Sequence, residues 1–222
     1  ENIDLIVTEI ERETKYPNLE KFPGYIKNSS EIVKLLIERN AIEGIFGATP
    51  EAISQNRNTI ISLIENGTFF GEKIDYIAAG IRNDREIISL LVKNGDLRIL
   101  DYADPQIVLE NKEGILNAIR NGHEFSILST MPEEIRSSKE IVEAILLTGN
   151  LKNIKYALDA AFDGRNIQIF AETIKNTRQE IFLEEYLGEL INYPLAVRNS
   201  PEIIYAMLEK ISPLCLNEIF SN

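Results

Sequence analysis

Apolar residues return along this chain in a fixed frame. In the stretch Asp84 to Gly95, DREIISLLVKNG, they stand at Ile88, Leu91 and Val92, a spacing of three and four that lays them on one helical stripe. Ile87 and Leu90 widen it. Asp84 offers a side-chain oxygen to the free N–H groups of a first helical turn, and Glu86 suits the positive end of the helix dipole. Asn94-Gly95 ends the helix, because glycine takes the left-handed conformation past a C-terminus without a Cβ clash. Asn-Gly also marks tight hairpins. The residues before it do not alternate apolar and polar, so the strand reading fails.

The frame recurs. Candidate caps are Ser29, Asn56, Asp84, Asn111, Ser138 and Ser200, and eleven residues after them stand Asn40, Gly67, Gly95, Gly122, Gly149 and Ile211. Four, seven and eight residues after each cap come Val33, Leu36, Ile37; Ile60, Leu63, Ile64; Ile88, Leu91, Val92; Ile115, Ala118, Ile119; Val142, Ile145, Leu146; and Ile204, Met207, Leu208. All of these are apolar in a chain that is 44% hydrophobic, so the frame is not a product of composition.

The first five caps lie 27 or 28 residues apart, leaving about sixteen residues after each helix. Ile42, Phe69, Leu97 and Leu151 follow their caps by thirteen, and Ile45, Leu100, Ile127 and Ile154 by sixteen. Pro50, Pro105 and Pro132 follow by twenty-one. This predicts a short second helix closed by proline, which lacks an N–H and restricts the residue before it. After Ser138 the frame loosens. Asp163 caps a sixth helix with Ile167, Phe170, Ala171 and Ile174 on one face. Thr177 and Glu180 form a capping box before Ile181, Leu183, Tyr186, Leu187, Leu190 and Ile191, stopped at Tyr193-Pro194. Ser200-Pro201 opens the last helix, with a short partner over Leu214–Phe220. Ahead of the repeat, Ile3, Ile6, Val7 and Ile10 give one amphipathic helix, followed by breakers at Tyr16-Pro17 and Pro23-Gly24.

A two-helix unit of 27 residues cannot bury its stripe alone, so neighbours must stack. The expected fold is all-α: an α-solenoid of about seven helix-turn-helix repeats of period 27–28. Residues 1–27 form an N-terminal capping helix and turn, 28–162 the regular repeats, and 163–222 irregular repeats of the same array. At about 8–10 Å between helices, seven units would extend on the order of 60 Å. The period is shorter than those of ankyrin, tetratricopeptide or HEAT repeats, at about 33 to 47 residues, and their signatures are absent.

The units NDREIISLLVKNGDLRILDYADP and SSKEIVEAILLTGNLKNIKYAL resemble the short tandem helical repeats, grouped as domains of unknown function, of bacterial effector-like and protist proteins. The likeness covers roughly residues 28 to 162. It implies a scaffold with no assigned chemistry.

Charge narrows the partners. Lys plus Arg is 23 and Asp plus Glu is 35, a net charge of −12 that repels nucleic acid and anionic lipid and favours a basic protein or peptide. The plainer account is that acidic residues coat the outer helix faces. No apolar run reaches the ~18 residues of a membrane span. The single cysteine, Cys215, excludes an internal disulfide. The start at Glu1 rather than Met suggests an excised or processed form, so no compartment can be read.

No chemistry emerges. His123 is the one histidine, at a turn and without a nucleophile near it in sequence, so it reads as a turn residue rather than a general base. Glu133-Glu134 and Glu184-Glu185 are adjacent and point about 100° apart on a helix. Asp159 and Asp163 are better spaced, yet Asp163 reads as a cap. Metal-ligand and phosphate-loop motifs are absent, and no cofactor is expected. Tyr76, Tyr102 and Tyr156 recur near the ends of second helices and could line a strip, although rings shared between core and surface explain them. Arg98, Lys152 and Glu43 share one frame position, fourteen after the cap, whose mixed chemistry suits either a ligand-facing or a solvent surface. No catalytic, cofactor or metal residue is assigned. The expected function is a non-catalytic scaffold binding a protein or peptide on its concave face. The alternatives are a spacer or docking arm of a larger protein and, remotely, an enzyme with an unrecognised carboxylate site.

Overall fold

The computed structural model describes residues 2–12, 18–68, 70–125, 127–178, 181–182 and 187–211. The described residues are helical or turn, with no strand among them. Expectations for Tyr16-Pro17, Phe69, Glu180, Leu183, Glu184-Glu185, Tyr186, Cys215 and 214–220 fall outside these residues. The chain gathers into two compact units, Glu1–Gly114 and Ile115–Asn222. The first holds α1 (Asn2–Glu11), α2 (Gly24–Lys27), α3 (Ser30–Glu38), α4 (Pro50–Ser54), α5 (Arg57–Glu65), α6 (Ile74–Ile81), α7 (Arg85–Lys93), α8 (Pro105–Glu110) and the start of α9 (Lys112–Arg120). The second holds the rest of α9, then α10 (Glu133–Arg136), α11 (Lys139–Leu147), α12 (Gly164–Asn176), α13 (Leu195–Arg198) and α14 (Pro201–Lys210).

The long helices start and stop on local signals. Ser29, Asp84, Ser138 and Ser200 each accept a hydrogen bond from the N–H three residues on, and Asp163 accepts from both Arg165 and Asn166. Asn40, Gly67, Gly95, Gly122 and Gly149 all take positive φ at the expected stops. Asn56 departs from expectation. Its amide donates instead to the carbonyls of Ala52 and Ser30, each at 2.9 Å, and that of Asn111 donates to Ile107 at 2.8 Å. An amide N–H can satisfy a carbonyl orphaned at the end of the preceding short helix, which a Ser or Asp acceptor cannot.

The second half of the unit also departs. It is a 3-10 turn followed by a short helix that proline opens rather than closes. Ile42–Ile45, Leu97–Asp101 and Leu151–Tyr156 are 3-10, while Pro50 and Pro105 stand at the start of α4 and α8 behind the capping side chains of Thr49 and Asp104. Proline's fixed φ and missing N–H suit a first helical position. The second segment after Asn56 has no proline, and there an eight-residue α-helix, α6, forms. It lies so close to α4 that a Cβ on Gly80 would stand 2.5 Å from Ile53 Cβ and 2.9 Å from the Pro50 carbonyl oxygen. Gly80→Ala should therefore destabilise by about 1–3 kcal/mol, despite alanine's better helix propensity. The loss should appear as a lowered midpoint in denaturant titration, and Ile53→Ala in the same chain should not restore it, since alanine keeps the clashing Cβ.

The predicted stripe is the core. Of the frame positions, Leu63 is half-buried, Ile204 and Leu208 are exposed, and the rest are buried. In the first unit α1 packs on α3, α3 on α5 and α5 on α7; in the second, α11 packs on α12 and α12 on α14. Ile191, expected on an inner face, is 73% exposed, because Leu187–Asn192 winds as a 3-10 helix rather than an α-helix.

Successive segments are also tied by recurring polar links. A backbone N–H bonds the carbonyl 22 residues earlier at Thr49 to Lys27, Asp104 to Arg82 and Leu158 to Arg136, at 3.2, 3.4 and 3.0 Å. Asn166 donates to the Lys139 carbonyl at 3.0 Å, as Asn56 does to that of Ser30. Asn94 donates to the Ile64 carbonyl at 2.9 Å, and Thr173 to that of Leu146 at 3.4 Å; both donors stand ten residues after a capping Asp. The bonds to Lys27, Arg82, Arg136, Ile64 and Leu146 satisfy carbonyls that helix C-termini would otherwise leave orphaned, while those to Ser30 and Lys139 add a second donor at a helix start.

Candidate functional site

A cleft in the second unit lies beside a threonine that occupies the frame position of two of these donors. Thr148 stands ten residues after Ser138, the position from which Asn94 and Thr173 reach back to a preceding helix. Its hydroxyl donates to Ile145 in its own helix, at 2.7 Å, as that of Thr173 does to Ile169 at 2.8 Å beside its longer bond to Leu146. A cleft of about 580 Å³ lies at this point, beside Ile119, whose carbonyl is the counterpart of those on Ile64 and Leu146. Ile119, Phe125, Ala144 and Ile145 floor it, all nearly fully buried. Arg120, His123, Glu124 and Asn150 form a polar rim, and Leu147, 67% exposed, stands at the edge. An apolar floor with a few polar groups around it is the usual constitution of a site for a small molecule or a side chain.

His123 thus lies half-buried on a cleft wall, at the turn where the sequence places it. The carboxylates weighed with it have structural employment. Asp159 accepts from the N–H of Ala196 at 2.9 Å; Asp163 caps α12 and lies 3.4 Å from Lys139 Nζ. The N–H of Asn166, and after it Lys139, hold the Asp163 carboxyl below its ordinary value against the opposing effect of burial. Glu133 and Glu134 are exposed on the first turn of α10. Among the described residues no three of His, Cys, Asp and Glu gather as a metal would require.

The first unit carries a second surface, which brings together residues from two recurring positions of the frame. Glu43, Lys73, Asp75, Tyr76 and Arg98 line a shallow depression of about 430 Å³. Arg98 donates twice to Asp75, at 2.8 and 2.6 Å, and the Tyr102 hydroxyl donates to the same carboxylate at 2.9 Å. Lys73 lies 3.4 Å from Glu43, and Tyr76 meets Phe46 edge-on at 5.8 Å. Lys152, which shares the frame position of Glu43 and Arg98, is exposed in the second unit. Tyr156 is there too, with Lys155 Nζ 5.3 Å from its ring centre.

Partial burial raises the Asp75 carboxyl, but the bonds from Arg98 and Tyr102 outweigh it and leave the group below its ordinary 3.8. Burial and the carboxylate partner raise the Tyr102 phenol. A depressed carboxylate contributes stability that is complete above its unfolded value and is lost as pH falls through the folded one. The stability difference between the native chain and Asp75→Asn should therefore be constant near neutrality and vanish as pH drops below about 3.8, read as paired denaturant midpoints across acid pH.

Among the described residues no helix is long and apolar enough to cross a membrane. Comparison with models of known families, with curated proteins and with solved structures found no match to this chain.

Proposed function

We propose that the chain is a non-catalytic α-solenoid scaffold that binds a segment of a protein partner and takes one apolar side chain of that segment into the His123 cleft. The observation that carries this reading is the cleft of about 580 Å³ itself, with Ile119, Phe125, Ala144 and Ile145 as an apolar floor and Arg120, His123, Glu124 and Asn150 as a polar rim. The array half of the reading is supported by the backbone bond that repeats at a separation of 22 residues and by the common burial of the frame positions. With a net charge of −12, the residues flanking the anchor are best supplied as Lys or Arg.

Selection from a displayed random-peptide library against the intact chain tests it. The expected consensus is a large apolar residue flanked by basic ones, with binding that weakens as salt rises. Ala144→Phe, which fills the cleft, and Leu147→Ser, at an exposed edge position where folding is insensitive, should each reduce binding, while Arg98→Ala should not. Selected peptides indifferent to both cleft substitutions, or no selection at all, would refute the reading.

A further inference from the structure

Three long helices end on the same pair of residues. Asn66-Gly67, Asn94-Gly95 and Asn121-Gly122 are the Asn-Gly pairs of the sequence, and their glycines take φ of +83°, +85° and +85°. In each pair the glycine N–H donates to the carbonyl three residues before it, that of Ile64, Val92 or Ile119, at 3.0, 3.0 and 2.9 Å. The backbone is therefore alike at all three.

The side chains are held differently. Asn94 donates to the Ile64 carbonyl at 2.9 Å, and Asp96, just past its glycine, accepts from the N–H groups of Phe70 and Gly71, both at 2.8 Å. Gly95 between them is buried. Asn66 and Gly67 in the first unit are exposed, and so are Asn121 and Gly122 in the second. Among the described residues the amide side chains of Asn66 and Asn121 have no hydrogen-bond partner.

We propose that Asn66 and Asn121 are sites of spontaneous covalent conversion to aspartate and isoaspartate in the folded chain, and that its links to the neighbouring segment protect Asn94. The glycine nitrogen gives its proton to water or hydroxide and attacks Cγ of the asparagine. The new N–Cγ bond closes a succinimide ring as the Cγ–Nδ2 bond breaks, and the side-chain nitrogen leaves as ammonia. Water then opens the ring at either carbonyl, which yields aspartate or isoaspartate. Nothing is oxidised or reduced, and water is the one co-reactant. Glycine suits the attack because no Cβ obstructs its nitrogen and its backbone is the freest to turn.

The helix end must open first, since the glycine N–H is bonded and the asparagine backbone is still helical at Asn66 and Asn94. Opening an exposed helix end costs little. At Asn66 and Asn121 it breaks bonds within one helix. At Asn94 it must also break the bond to Ile64 and bring a buried glycine into water. Each conversion adds one negative charge to a chain already at −12, at a helix C-terminus where the dipole disfavours it. At residue 121 that charge adjoins Arg120, Gly122 and His123 of the cleft.

To test this, the intact chain is held at mildly alkaline pH, digested and mapped by mass spectrometry, with enzymatic methylation marking isoaspartate. Residues 66 and 121 should convert at least about tenfold faster than residue 94, the factor that one hydrogen bond of ordinary net strength supplies. In guanidinium, where no helix end is held, the three should convert at comparable rates. Asn66→Gln combined with Asn121→Gln, both at exposed positions, should leave the native chain almost free of isoaspartate. A native Asn94 that converts as fast as the other two overturns the proposal. So does a native chain that keeps Asn66 and Asn121 intact while the unfolded chain converts, or isoaspartate that persists in the double variant. Conversion is read without any peptide ligand, so this proposal and the cleft reading can each fail alone.

Discussion

Gly47→Ala should lower the stability of the first unit by about 2–5 kcal/mol, combining left-handed backbone strain with overpacking. Gly47 sits at φ +90°, and a Cβ there would lie 2.4 Å from the Cα and 2.6 Å from the N of Glu20. Backbone cannot rotate away as a flexible side chain can. The fitting comparison is Gly67→Ala, because Gly67 has φ +83° with nothing within 4 Å of its would-be Cβ. That substitution carries the backbone strain alone, about 1–2 kcal/mol. Equal losses at the two positions, measured as shifts in guanidinium midpoint, would show that the approach to Glu20 is not tight.

Asp96→Ala should cost about 3–5 kcal/mol, since removing a charged acceptor strands its buried donors. Asp96 is 2% exposed and accepts from the N–H groups of Phe70 and Gly71, both at 2.8 Å. Those donors belong to the preceding segment, so the carboxylate joins two neighbouring stretches that share no sequence continuity. Asp96→Asn keeps one acceptor oxygen and should lose roughly half as much. A neutral Asp96→Ala in chemical denaturation would remove this carboxylate from the set of links that tie segments together.

The long helices were legible because their signals are local. Ser29, Asp84, Ser138, Asp163 and Ser200 cap as their residue types dictate, and the stops at Gly67, Gly95, Gly122 and Gly149 need only the absence of a Cβ. The second segments were misread as α-helices ended by proline. Their apolar pairs, such as Ile42 with Ile45 and Leu97 with Leu100, are spaced by three, which suits a 3-10 turn as well as an α-helix. The cue for the prolines was present, because Thr49-Pro50 and Asp104-Pro105 are the same cap-and-proline pair as Ser200-Pro201.

The candidate site was less legible. His123 stands out in the sequence, but the cleft is assembled from the end of α9, the turn through Phe125 and the last turns of α11, whose approach no local signal encodes. The cluster around Asp75 joins Glu43, Tyr76, Arg98 and Tyr102 across three segments; the shared frame position of Glu43 and Arg98 and the recurrence of the tyrosines hint at one surface, but nothing in the spacing marks Asp75 as its centre. Asp96, just past a helix-ending glycine, carries no signal of its own in the sequence; its role is set by Phe70 and Gly71, which lie 26 and 25 residues earlier.

Native-state amide hydrogen exchange on Asp96→Ala tests most directly whether the chain is an array held by nearest neighbours. In such an array protection is lost around the broken link, over α6, α7 and the turn at Phe70 and Gly71, while α11 and α12 keep their native protection. A uniform loss of protection that reaches Val142, Ile145 and Phe170 as fully as Ile88 and Leu91 would contradict the account and mark a single cooperative globule.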